Sequence, residues 1–205
     1  MDDDLAITLL RHGMTTANQK GTYIGWTDTP LSTKGCNDLC INLPKQDLIF
    51  SSDLTRCLET AAILFPSQPV QALKEMREMN FGAWEGKTYD QLKHLPAYRH
   101  WLDNPYTASP DGGESFAAFG DRIRTGFTMV KKQILDSDAK DSAIVTHGGV
   151  IRYLLSVFSG QNRSFFEWKI PYGGGYRLCW LKDDFRREKA CTLLQAVPTM
   201  ENPRG

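Results

Sequence analysis

The sequence is short of histidine, free of net charge and without paired cysteine motifs, and each shortage removes a class of function. Lysine plus arginine and aspartate plus glutamate stand at 24 each in 205 residues. No bulk charge therefore draws the chain to nucleic acid or an anionic membrane. The five cysteines (36, 40, 57, 179 and 191) contain no C-x-x-C pair, which favours reduced thiols and a cytoplasmic location over a disulfide framework. Cys36 and Cys40 have the four-residue spacing of one buried helix face. With four histidines in all, a four-ligand zinc set is hard to assemble, and no metal is expected. No apolar run is long enough to span a bilayer. The acidic start Met1-Asp2-Asp3-Asp4 does not read as a secretory leader.

Two nucleophile or phosphate motifs fail on spacing. Gly82-Ala83-Trp84-Glu85-Gly86-Lys87-Thr88 imitates a nucleotide P-loop but has three residues between its glycines, where the motif needs four. No cysteine has an arginine six positions on; Phe185 stands at that offset from Cys179. A thiolate phosphatase site is therefore not expected.

What is present is a mostly parallel α/β pattern, expected as one domain over 1–205 with a small cap-like insert at about 86–112. Leu5 to Leu10 reads as a buried strand that ends in Arg11-His12-Gly13. Ser142 to Thr146 reads as another, ending in His147-Gly148-Gly149. In open α/β sheets ligands sit beyond the carboxyl ends of strands, so two histidines delivered this way form a constellation. Further strands are expected at 47–50, 70–73, 174–181 and 191–197. Helices are expected from Ser32 or Thr33 to about Leu43, from Leu54 to Phe65, over 89–95 and 97–102, and from 149 to 158. Ser51-Ser52-Asp53 reads as the cap of the second helix. Phe116, Phe119, Ile123, Phe127, Val130 and Ile134 form the apolar stripe of a long helix opened by Glu114-Ser115. Gly173-Gly174-Gly175 reads as a tight turn, His94 and His100 as solvated surface, and Met200 to Gly205 as a loose tail. Tyr23, Trp26, Phe81, Trp84, Tyr98 and Trp101 fit either core packing or the wall of a substrate site.

The chemistry-bearing set is Arg11, His12, Arg56, Glu78 and His147. Two guanidinium forks suit phosphate oxygens, an imidazole can attack phosphorus, and a carboxylic acid can protonate a leaving oxygen. On spacing alone, a set of surface ion pairs is the competing reading.

Leu10-Arg11-His12-Gly13 resembles the defining signature of the histidine phosphatase superfamily, also called phosphoglycerate-mutase-like. Ser51 to Ala61 resembles its second-arginine helix, and Val145 to Gly149 its second-histidine motif. The resemblance runs in order from Leu5 to about Val157. It implies a three-layer α/β sandwich with a mostly parallel central sheet flanked by helices, and no cofactor. His12 would be the nucleophile and Glu78 the acid and base, with Glu75 and Glu85 lacking a chemical role. Arg11, Arg56 and His147 would bind the phosphoryl group, with Thr15, Asn18, Ile24 and the backbone at Gly148 completing the substrate site. Gly25 to Leu31 and Met76 to Glu85 look most like the α-ribazole phosphatases of cobalamin assembly. The implied reaction is hydrolysis of a small phosphate ester, with α-ribazole 5′-phosphate foremost. Phosphoglycerate mutase, a phosphoglycerate or sugar-phosphate phosphatase, and a non-catalytic phospho-ligand module are the alternatives. The mutases place threonine at Ile24 and tyrosine at Phe81. A homodimer is compatible with the sequence; nucleic acid and membrane are not among the expected partners.

Overall fold

Leu5 to Leu10 is buried at every position, as a strand covered on both faces must be. The computed structural model describes residues 4–41 and 43–197. The strands are β1 (Asp4–Arg11), β2 (Leu48–Ser52), β3 (Gln71–Leu73), β4 (Asp141–Thr146), β5 (Gly175–Leu181) and β6 (Leu193–Val197). The helices are α1 (Thr16–Gln19), α2 (Thr33–Asn37), α3 (Thr55–Leu64), α4 (Tyr89–Leu92), α5 (Pro96–Asp103), α6 (Phe116–Ser137), α7 (Gly148–Phe158) and α8 (Lys182–Arg186). They surround one sheet of order β3-β2-β4-β1-β5-β6. The first four strands of that order are parallel, and β5 runs antiparallel to both its neighbours.

Side-chain alternation sends the two faces of the sheet to different helices. Leu5, Ile7, Leu9 and Ile144 pack with the stripe of α6 (Phe119, Ile123, Phe127, Val130, Ile134) and with Val150, Ile151 and Leu154 of α7. Leu10, Ile49, Ala143 and Val145 pack on Cys57 and Ala61 of α3. Each large apolar side chain buried this way contributes about 1.5–3 kcal/mol relative to exposure. The result is a three-layer α/β sandwich. Register then sets the site: Arg11 lies opposite Thr146 in the parallel β1/β4 pair, so His12 and His147 leave adjacent strands at the same edge.

Three local expectations are corrected. The first helix spans Thr33–Asn37 and does not reach Leu43. Its buried Gly35 lies against the Met14 carbonyl, where any Cβ would collide, and Asp38 caps the short turn. Cys40 is consequently exposed outside the helix and Cys36 half-buried. Ser51 and Ser52 extend β2 and do not cap α3. Asp28 supplies that cap from the loop before α2, accepting from Thr55 N at 2.8 Å and Thr55 Oγ1 at 2.7 Å. Asp53 is instead held by Arg77 in a two-bond pair. The expected tail beyond Val197 lies outside the described residues.

Candidate active site

The site begins where β1 leaves the sheet. The His12 backbone N–H still bonds the Thr146 carbonyl at 2.9 Å, which fixes the ring at the sheet edge. The His12 Nδ1 lies 2.7 Å from the Gly13 carbonyl. That acceptor requires the proton on Nδ1 and leaves the Nε2 lone pair free. Gly13 is itself held, since its N–H donates to Thr60 Oγ1 at 2.9 Å. Thr60 lies one turn beyond Arg56 on α3 and donates to the Arg56 carbonyl at 2.6 Å.

His147 is the N-cap residue of α7 and is fully buried. Its ring centroid stands 5.2 Å from that of His12, and its Nε2 shares a 2.9 Å hydrogen bond with Ser52 Oγ. The glycines that follow make room for two other side chains. A Cβ at Gly148 would press on the Arg11 guanidinium at 3.3 Å, and one at Gly149 would collide with the Glu78 carboxylate. Bare backbone at both positions lets Arg11 and Glu78 meet the helix N-terminus. There Gly149 N–H donates to Glu78 Oε2 at 2.9 Å, and Met79 N–H donates to Oε1 at 2.9 Å. These two N–H groups hold the Glu78 carboxyl group at the start of α7.

The arginines are anchored through their terminal nitrogens. Arg56, in the first turn of α3 and 1% exposed, donates to the carbonyls of Gly25 at 2.7 Å and Thr27 at 3.0 Å. Arg11 donates to the Ile170 carbonyl at 2.7 Å and lies over the Tyr172 ring at 3.7 Å. In both arginines the Nε–H is buried without an acceptor among the described residues. Buried donors of this kind are normally satisfied, so the pair is suited to an anion.

Electrostatics point the same way. Burial, with the nearby Arg56 and Arg11 charges, pushes the His12 pKa well below the ordinary histidine value. Burial and Arg56 do the same to His147. Both rings are therefore neutral at pH 7, as a nucleophile must be. The sign of the linkage follows: the unfolded chain protonates at about pH 6.5 while the folded rings do not. Stability should then fall as pH drops below about 6.5, by up to ~1.4 kcal/mol per pH unit for each histidine. Urea midpoints between pH 7.5 and 5.5, with the ring-proton NMR titration alongside, check this; rings that titrate at about 6.5 would contradict it. Burial also raises the pKa of Cys57, whose Sγ lies 3.5 Å from His147 Nε2. That thiol stays protonated.

Arg11, His12, Arg56, Glu78, His147 and Gly148 are thus assembled around the α7 N-terminus. Thr15 and Asn18 are tied chiefly to each other. Thr15 caps α1, and Asn18 Oδ1 takes the Thr15 N–H and hydroxyl at 3.1 and 2.9 Å. Ile24 is half-buried in the loop next to Gly25. Sequence reasoning missed Tyr172 and Ser52, and missed what holds the 25–27 loop. Glu85 accepts from the N–H groups of Trp26 and Thr27 at 2.7 Å and of Phe81 at 3.1 Å. Burial opposes its charge, yet the bonds from Thr27, Trp26 and Phe81 hold its pKa below the usual glutamate value. Glu85 therefore positions the carbonyls that grip Arg56. Among the described residues no cluster of three or more His, Cys, Asp or Glu side chains could hold a metal ion.

Glu78 and Gly149 also line a cavity of about 460 Å³. Its walls are largely aromatic, with Tyr23, Phe81, Trp101, Phe116, Phe119 and Phe165, and Arg152 is its added cation. Of the remaining aromatics, Trp84 and Tyr98 are buried behind this wall, whereas Trp26 belongs to neither core nor wall and lies exposed beside Arg77 and Arg122.

The chain is also similar to known proteins. The Adenosylcobalamin/alpha-ribazole phosphatase of Salmonella typhimurium is 30% identical over 186 residues, covering 86% of this chain and 88% of that protein. The Glucosyl-3-phosphoglycerate phosphatase of Mycolicibacterium vanbaalenii is 34% identical, covering 75% of this chain and 74% of that protein. The crystal structure of the alpha-ribazole phosphatase from Shigella flexneri superposes with a TM-score of 0.75 at 26% identity, covering 85% of this chain and 89% of that one. With the model of the Histidine phosphatase superfamily (branch 1) matching residues 7–190, the chain belongs to that superfamily.

Proposed function

We propose that this phosphoric monoester hydrolase acts through a phosphohistidine at His12, with α-ribazole 5′-phosphate as its substrate. The observation that carries the reading is the pair of buried, unpartnered guanidinium N–H groups on Arg11 and Arg56 beside two neutral imidazoles. In the first step His12 Nε2 forms a bond to phosphorus as the ester P–O bond breaks, and Glu78 gives its proton to the leaving alcohol. In the second step Glu78 takes a proton from water, the water oxygen bonds to phosphorus, and the P–N bond breaks. Arg11, Arg56 and His147 stabilise the charge on the phosphoryl oxygens throughout. Positioning and charge stabilisation supply most of the acceleration in such transfers.

The leaving group is read from the aromatic cavity. α-Ribazole is a riboside of an aromatic base, and the largely aromatic wall beside Glu78 suits a flat apolar group. The residues 86–112 act as a cap over this cavity, since Trp101, Leu102 and Pro105 all line it. A soluble metabolite substrate and five free cysteines fit a cytoplasmic enzyme. Arg152 favours a second reading, because its guanidinium would suit the carboxylate of a phosphoglycerate. A panel of kcat/KM values decides between them. α-Ribazole 5′-phosphate should exceed 3-phosphoglycerate and ribose 5-phosphate by about tenfold or more, the discrimination that burial of one extra apolar group supplies. Preference for 3-phosphoglycerate, or phosphoryl transfer between phosphoglycerates in place of hydrolysis, would establish the second reading. No turnover of p-nitrophenyl phosphate would leave only a phospho-ligand module.

A further inference from the structure

We propose that Arg122, paired with Glu114, is a positioning residue that holds Glu78 at the reacting oxygen; the inference rests on the reading of Glu78 as the leaving-group acid. Glu78 lies in a segment with little regular structure of its own. One 3₁₀ turn covers Lys74–Met76, and Arg77 to Phe81 belong to neither helix nor strand. Backbone carbonyls in such a segment must find donors elsewhere when they are buried.

They find them on α6. Arg122 Nη1 donates to the carbonyls of Glu75 and Arg77, both at 2.9 Å, and Nη2 donates to the carbonyl of Glu78 at 3.0 Å. The remaining donors go to Glu114: Nε to Oε1 and Nη2 to Oε2, each at 2.7 Å. A guanidinium has five N–H donors, and all five are engaged here. Glu114 Oε2 also accepts the Asn80 N–H at 2.8 Å. The chain is therefore tied through Arg122 at and before Glu78, and through Glu114 just after it. Both side chains are about 15% exposed (16% for Arg122 and 15% for Glu114), so the pair is little screened by water.

Two further contacts fix the clamp. Gly126 lets α6 lie flush on the segment, since a Cβ there would stand 2.7 Å from Glu75 Cβ. Trp26, whose ring packs within 5.6 Å of the Arg122 guanidinium, donates its Nε1–H to the same Glu78 carbonyl at 2.9 Å. By contrast, the Glu78 carboxylate has only the Met79 and Gly149 N–H groups as described partners. Its placement therefore depends on the main chain that carries it. Lysine could not replace the clamp, because one ammonium with three donors cannot serve three carbonyls and a two-point carboxylate together.

The test compares Arg122→Lys, Glu114→Gln, Glu78→Gln and the double variant Arg122→Lys/Glu78→Gln. Each is assayed on β-glycerophosphate, an alkyl ester that needs a proton on its leaving group, and on p-nitrophenyl phosphate, which scarcely does. Arg122→Lys should lose about 10²-fold in kcat on the alkyl ester, the effect of an ångström-scale misplacement. Its loss on p-nitrophenyl phosphate should stay under about tenfold, with KM little changed, since the phosphate pocket is intact. In the Glu78→Gln background the same substitution should add under about threefold, because the two changes remove one function. Equal losses on both esters, or a full further loss in the Glu78→Gln background, would overturn the proposal. If Arg122→Lys does not fold, Glu114→Gln carries the test by the same criteria. Failure of both to fold would assign the pair to stability alone and also overturn it. A Glu78→Gln enzyme with no leaving-group preference, by contrast, would remove the reading of Glu78 itself.

Discussion

Replacing His12 with alanine should lower kcat for phosphate ester hydrolysis by about four to six decades, the cost of removing a nucleophile from an otherwise assembled site. The size of the effect follows from the geometry. His12 Nε2 is the free nitrogen, because the Gly13 carbonyl at 2.7 Å holds the Nδ1 proton. No other group in the site is a competent substitute. His147 Nε2 is taken up by Ser52, and the Cys57 thiol is buried and kept protonated. KM should change little, because Arg11 and Arg56 are held by carbonyls that do not involve His12. Steady-state kinetics on p-nitrophenyl phosphate give both numbers. A His12→Ala enzyme within about tenfold of wild type would exclude covalent catalysis through this ring.

Glu78→Gln should cost two to four decades in kcat on an alkyl ester, roughly the range of general acid–base help. The amide keeps the shape of the side chain and can still accept a hydrogen bond at the α7 N-terminus, but it has no proton to give. The loss should shrink on p-nitrophenyl phosphate, whose phenolate leaves readily, so long as formation of the phosphoenzyme limits the rate. Glu85→Gln offers the contrast. Expected from sequence to have no chemical role, Glu85 nonetheless holds the N–H groups of Trp26 and Thr27, which lie between the two carbonyls that grip Arg56. Its replacement should raise KM on both esters without distinguishing between leaving groups. The opposite pattern, leaving-group dependence in Glu85→Gln and none in Glu78→Gln, would move the acid to Glu85.

Much of the site was legible because it is built from strand ends. An apolar run that stops at Arg11-His12-Gly13, and a second that stops at His147-Gly148-Gly149, each announce a strand and its terminus in a few consecutive residues. The parallel register of β1 and β4 then leaves little freedom in where the histidines emerge. Arg56 was readable for a similar reason, as the first turn of a helix with a clear apolar face. What stayed hidden depends on partners distant in the chain. Asp28 caps α3 from 27 residues away, and no local pattern distinguishes it from the nearer Asp53. Arg122 reaches back 44 residues to the Glu78 carbonyl. On the sequence it is one more cation on a long amphipathic helix. Tyr172 covers Arg11 from the turn before β5, a placement set by sheet order and not by its neighbours. The overlong first helix failed for a different reason. Residues 32–43 carry apolar spacing that a helix could use, but the helix ends at Asn37 with Asp38 as its C-cap, and that spacing holds no signal for the stop.

The covalent intermediate is the point on which the whole account turns. Wild-type enzyme mixed with a ³²P-labelled phosphate monoester and quenched within milliseconds in alkali or in acid measures it directly. Label should survive alkali, be lost in acid, map to the peptide carrying His12 and be absent from His12→Ala. Label stable to acid, label on another residue, or undiminished hydrolysis by His12→Ala would contradict it.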